Sequence, residues 1–90
     1  MDFEAMMKQM REKYLADLKP RTAELQKMVD DKNHPELESF FHKLKGSGAS
    51  YGLPQFTDFG AKYEMKAKNK ELTQEDFENI PKEFEALFNQ

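Results

Sequence analysis

A chain of 90 residues, 38% of them apolar and eight of them phenylalanine, can fill one hydrophobic core but has no room for a nucleotide-binding kinase module beside it. It contains no cysteine, which removes disulfides and thiolate metal sites, and no apolar run near the roughly 18 residues of a membrane span. The net charge of −3 conceals a basic centre: residues 42–70 carry six basic and two acidic side chains, against seven and nine before them and one and six after, a layout that suits an acidic protein partner better than nucleic acid.

The N-terminus opens on acidic and apolar residues rather than a basic stretch followed by a hydrophobic one, so no secretory signal is expected and a cytoplasmic location is. Phe3, Met6, Met7, Met10 and Tyr14 recur with the 3.6-residue period, which predicts a first helix over about residues 2–18. The methionine group is expected in the core, with a soft surface for a loosely accommodated partner as the alternative. Leu18, Leu25, Met28 and Val29 continue the pattern into a second helix over about 20–31, kinked or separated from the first at Pro20. Asp30 to Pro35 then form a turn. Pro35 at a first helical position, capped by Asn33 or His34, starts a third helix that runs to about Tyr51. His34 is read as a helix-start residue rather than a ligand; a zinc site is not expected, because the two histidines stand eight apart without cysteine.

The third helix carries the chemistry. Glycine inside a helix costs about 1 kcal/mol relative to alanine, so the pair Gly46 and Gly48 calls for a spatial reason. At about 100° per residue, Leu37, Phe40, Phe41, Leu44, Gly48 and Tyr51 share an apolar sector and His42 points away from it into water. Gly46 and Ala49, at i+4 and i+7, leave the imidazole unshielded, and Lys45 at i+3 brings an ammonium to the same spot. Gly46 is therefore assigned to access, Gly48 to close packing, and Gly52 to ending the helix. A fourth helix over about 54–69 should bury Phe56, Phe59, Gly60, Tyr63 and Ala67 and stop near Asn69 and Lys70. Thr73 with Asp76 forms a capping-box pattern that opens a last helical region with the stripe Phe77, Ile80, Phe84, Leu87 and Phe88, split or bent by Pro81. Strict alternation of a half-buried strand is found nowhere, so the fold class is all-α: an antiparallel four-helix bundle with an accessory N-terminal helix.

The run His42, Leu44, Lys45, Gly46, Ser47 and Gly52 resembles the signature H-x-L-K-G-[small]-x-x-x-x-G of the histidine-containing phosphotransfer (HPt) domains of multistep two-component relays. Phe56, Phe59, Gly60, Tyr63, Glu64 and Lys68 are similar to that family's next helix. The resemblance implies one helical bundle domain over residues 1–90 and a phosphorelay intermediate, with His42 as phosphoacceptor, Lys45 stabilising charge and Gly46 permitting approach. Lys43, Ser47, Glu64 and Lys68 are secondary candidates: Glu64 stands where the family often places a glutamine or glutamate that can orient the histidine, with a surface salt bridge as the alternative, and Lys68 stands where arginine is frequent. Such a domain is a stoichiometric intermediate rather than a kinase. It needs no cofactor or metal of its own, the Mg²⁺ being expected on the receiver. The implied partners are response-regulator receiver domains, with a hybrid histidine kinase as a further candidate, and neither nucleic acid nor membrane; the expected state is a monomer. Chemistry agrees, because an imidazole with its ordinary pKa of about 6.5 is a nucleophile near neutral pH without a separate base. The competing reading is a helical adaptor that docks receiver-like partners without carrying phosphate.

Overall fold

A computed structural model describes residues 2–89 as five α-helices: α1 (Phe3–Leu18), α2 (Thr22–Asp30), α3 (His34–Ser50), α4 (Pro54–Lys68) and α5 (Gln74–Leu87). Among the described residues there is no strand, and no helix long and apolar enough to cross a membrane. The Asp2 carboxylate caps α1 by accepting the Glu4 N–H. At the far end Pro20, which lacks an N–H, sits in a tight 3₁₀ turn, Lys19–Arg21, that separates α1 from α2 as the sequence predicts. Asn33 caps α3 by accepting from Glu36 N–H. His34 opens that helix, its ring set edge-on against Phe77 at 5.7 Å.

All three turns between the bundle helices use the same device. Lys32, Gly52 and Lys70 each adopt a positive φ (50°, 68° and 57°) just past a helix end. The next N–H then reaches back to the sixth carbonyl: Asn33 to Met28 (3.0 Å), Leu53 to Gly48 (2.8 Å) and Glu71 to Lys66 (2.8 Å). Short connections of this kind force neighbours to run antiparallel. Helices α2, α3, α4 and α5 close into a ring, with α3 and α4 the closest pair.

The ring encloses Leu25, Leu37, Phe41, Phe56, Ile80 and Phe84, all fully buried. Phe84 meets Phe40, Phe56, Phe59 and Phe88 at ring separations of 5.2–6.5 Å, most of them edge-on. The Tyr63 hydroxyl donates to Glu83 Oε2 at 2.7 Å, tying α4 to α5, and burial together with that carboxylate holds the phenol above its ordinary pKa. Thr73 and Asp76 form the expected capping box, with Asp76 N–H on Thr73 Oγ1 at 3.1 Å and Thr73 N–H on Asp76 Oδ2 at 3.0 Å.

Two expectations are corrected. Pro81 does not split the last helix: α5 runs unbroken from Gln74 to Leu87, because burial of Phe77, Ile80, Phe84 and Leu87 outweighs the one hydrogen bond that proline removes. The methionine group is not core either. Among the described residues of α1, Tyr14, Leu15 and Leu18 pack on the core, while Phe3, Met6 and Met10 are exposed and Met7 is partly buried. The molecule is accordingly elongated, 47 × 21 × 19 Å.

Candidate functional site

Helix α3 presents His42 on the edge that faces α4, with 69% of its side chain exposed to solvent. Two helices meet closely beneath it. A Cβ placed on Gly60 would lie 2.7 Å from the Phe41 carbonyl oxygen and 2.8 Å from the Lys45 nitrogen; one placed on Gly48 would lie 2.8 Å from the Thr57 nitrogen. Only glycine lets the two backbones approach so far. Glu64, one turn beyond Gly60 on the same face of α4, therefore arrives beside α3.

Its carboxylate grips two residues at once. Glu64 Oε2 lies 2.7 Å from His42 Nδ1, and Oε1 lies 2.9 Å from Lys45 Nζ. Glu64 is only 17% exposed. The Lys45 hydrogen bond, reinforced by that of His42 and only partly opposed by desolvation, holds its pKa below the usual glutamate range, so the group stays ionised. An ionised carboxylate can only accept. The proton of a neutral His42 ring must then sit on Nδ1, which leaves the Nε2 lone pair on the solvent side. The geometry thus fixes the tautomer and the orientation together.

The surface around Nε2 is low. A Cβ on Gly46 would meet nothing within 4 Å, and Ala49 beyond it is exposed. Gly48 faces Thr57 and Phe56 and Gly52 ends α3 at positive φ, the packing and terminating roles read from sequence. Lys45, expected to bring an ammonium to the same spot, does so through its ion pair with Glu64. Of the other candidates, Lys43 and Ser47 are engaged elsewhere. Lys43 points to the other side of α3, where it lines a groove with Arg21, Glu24 and Phe40. Ser47 shares a 2.6 Å hydrogen bond with the Tyr14 hydroxyl and donates to the Leu44 carbonyl, so it anchors α1 rather than serving the imidazole. Lys68 lies a turn beyond Glu64 and makes no ion pair among the described residues. Sequence reasoning missed Tyr14, which also stacks on Tyr51 at 4.5 Å, and it missed the role of Gly60. A glycine one turn before an acidic residue on a core-facing helix was the available signal. Among the described residues no three His, Asp or Glu side chains converge as metal ligands.

A ring of helices that displays one imidazole, tethered at Nδ1 and open at Nε2 above a glycine, defines a histidine-presenting helical module. The family model described as Hpt domain matches residues 9–90, and the chain belongs to that family. It is a histidine phosphotransfer module of two-component phosphorelays, not a kinase domain, and domains of its kind interact with receiver domains and kinases. The comparisons with curated proteins and with solved structures each gave no match.

Proposed function

We propose that His42 is the phosphoacceptor, taking a phosphoryl group from the aspartyl phosphate of one receiver and delivering it to the aspartate of another. The observation that carries this reading is the 2.7 Å contact between Glu64 and Nδ1 on a ring whose other nitrogen is open to solvent. In the forward step the Nε2 lone pair forms the N–P bond while the P–O bond to the receiver aspartate breaks, and the leaving carboxylate keeps that electron pair. The proton remains on Nδ1. The ring becomes a phosphoimidazolium cation, and Glu64 sits where its charge compensates the cation as it forms. Lys45 is held beside the reaction by the same carboxylate, and its flexible stem allows it to pass from Glu64 to the phosphoryl oxygens. Phosphoryl transfer of this loose kind depends on alignment and on neutralising oxygen charge. The Mg²⁺ that shares the neutralisation is assigned to the receiver, and Gly46 to clearance for the receiver's acidic pocket.

The test is a receiver carrying labelled phosphate, mixed with the wild-type chain and with His42→Gln. Acid-labile label should move to the wild type and not to the variant, while the variant still binds the receiver. Equal loss of label to both proteins would remove His42 from the reaction. Retained binding with no transfer to either protein would favour the adaptor reading instead.

A further inference from the structure

The first three turns of α1 contribute nothing to the core cluster, although Met7 and Arg11 are partly buried. Packing on the core begins at Tyr14, which bonds Ser47 and meets Tyr51 and Phe56, and continues through Leu15 and Leu18. Before that point Phe3, Met6, Met7 and Met10 form a continuous stripe, with Phe3 67%, Met6 41% and Met10 43% exposed and Met7 partly buried. An isolated helix this short is marginal in water, and an apolar stripe at i, i+3, i+4 and i+7 is the pattern of a face that is covered. Most of it also precedes the stretch shared with the Hpt family, which starts at residue 9.

The charges beside the stripe say what covers it. At about 100° per residue, Asp2 and Lys13 flank it on one side and Glu4 and Arg11 on the other, and the exposed 3.3 Å pair of Lys13 with Asp17 in its own helix is one that solvent screening leaves weak and exchangeable. In an antiparallel pair of identical helices, like flanks face each other. A second copy running the opposite way would set Glu4 against Arg11 and Asp2 against Lys13, at both ends and on both sides. A parallel copy would bring the two acidic ends together and the two basic ends together. The free arm spans about 16 Å, and another such arm covers it fully. We propose that this arm is a self-association element through which two copies of the chain pair antiparallel, Phe3 over Met10 and Met6 over Met7. The patch is small beside the area of a stable dimer, so the association is weak, with a dissociation constant on the order of 100 µM, and the expected monomer holds in dilute solution.

Sedimentation equilibrium of the full chain from about 10 µM to 1 mM, at low salt, tests this. Wild type should pass from monomer to dimer across that range. Met6→Glu with Met10→Glu should raise the dissociation constant at least about tenfold without altering helix content, because both side chains are already exposed. Arg11→Glu alone should weaken pairing, and Glu4→Arg combined with Arg11→Glu should restore it. Because the chain has no cysteine, a mixture of Phe3→Cys and Met10→Cys should give mainly the mixed disulfide if the copies are antiparallel. A chain that stays monomeric at 1 mM, a double reversal that fails to restore pairing, or same-residue disulfides as the main product would overturn the proposal. So would stripe variants that impair receiver binding while no dimer forms at all. None of these readouts depends on phosphate transfer, so they stand apart from the assignment of His42.

Discussion

Replacing Gly46 separates the stability of this protein from its proposed chemistry. The residue lies inside α3 at negative φ, and its absent Cβ would meet no atom within 4 Å. Gly46→Ala therefore adds no clash and recovers the helix propensity that glycine forgoes, about 0.5–1 kcal/mol. In a domain of this size that raises the melting temperature by about 3–6 °C. Glutamine has nearly the same propensity, so Gly46→Gln should also be at least as stable as wild type. The two differ in what they raise above His42: at i+4 from the ring, the methyl group is shorter than the imidazole, whereas the glutamine side chain reaches over it. Transfer from a phosphorylated receiver should fall less than about threefold for alanine and more than about tenfold for glutamine, a loss of about 1.4 kcal/mol or more in the encounter. Thermal melts and single-turnover transfer kinetics on the same preparations decide the matter. A Gly46→Ala protein less stable than wild type, or a Gly46→Gln protein that transfers at the wild-type rate, would refute the claim that glycine is present for access.

Three further outcomes follow from the structure. Glu64→Gln keeps an acceptor for the Nδ1 proton but loses the charge, whereas Glu64→Ala loses both; transfer should slow by about threefold and about tenfold respectively, a charge-assisted hydrogen bond being worth about 1.5–3 kcal/mol before solvent screening at so exposed a ring, measured as rates at fixed receiver concentration. Lys70→Gly should stabilise the fold by about 1 kcal/mol in denaturant titration, because lysine now occupies the left-handed position where only glycine is free of strain. Burial works to raise the Asp76 pKa, but the Thr73 N–H and Lys66 outweigh it and hold the group below the usual aspartate range. A depressed folded-state pKa contributes stability above the unfolded value and loses it as the pH falls through the folded one. Asp76→Asn should then cost about 1–2 kcal/mol at pH 7, and the gap to wild type should close as the pH is lowered beneath the ordinary aspartate range.

Most of the fold was legible because it rests on local rules. The periodicity of Phe56, Phe59 and Tyr63, the Asn33 and Thr73 caps and the Gly52 stop each act within a turn or two of helix, where sequence order is spatial order. The errors arise where that equivalence ends. Pro81 is a helix breaker only until the tertiary burial of Ile80 and Phe84 is counted. The methionines obey the helical period, but the period says which face is apolar and not whether anything lies against it. The site divides in the same way: the exposure of His42 and the openness at Gly46 follow from positions along one helix. The engagement of Lys45 by Glu64 depends on a second helix 22 residues from His42, and no spacing within α3 encodes it.

That second helix is brought in by residues with no chemistry of their own. Gly60 touches the α3 backbone at Phe41 and Lys45, the residues that bracket His42. Any side chain there must push α4 outward, since its neighbours are main-chain atoms that cannot rotate away. A retreat of even 1 Å would stretch the 2.7 Å contact between Glu64 and Nδ1 beyond hydrogen-bonding range. The tautomer that leaves Nε2 open is thus set by helix packing and not by His42 and Glu64 alone. Gly60→Ala should cost about 1–3 kcal/mol and, in the fraction that remains folded, lose the downfield Nδ1 proton resonance expected of an imidazole bound to carboxylate. A variant that is destabilised yet keeps that resonance would show that α4 can rotate Glu64 back to the ring, and would separate the packing of the bundle from the setting of its histidine.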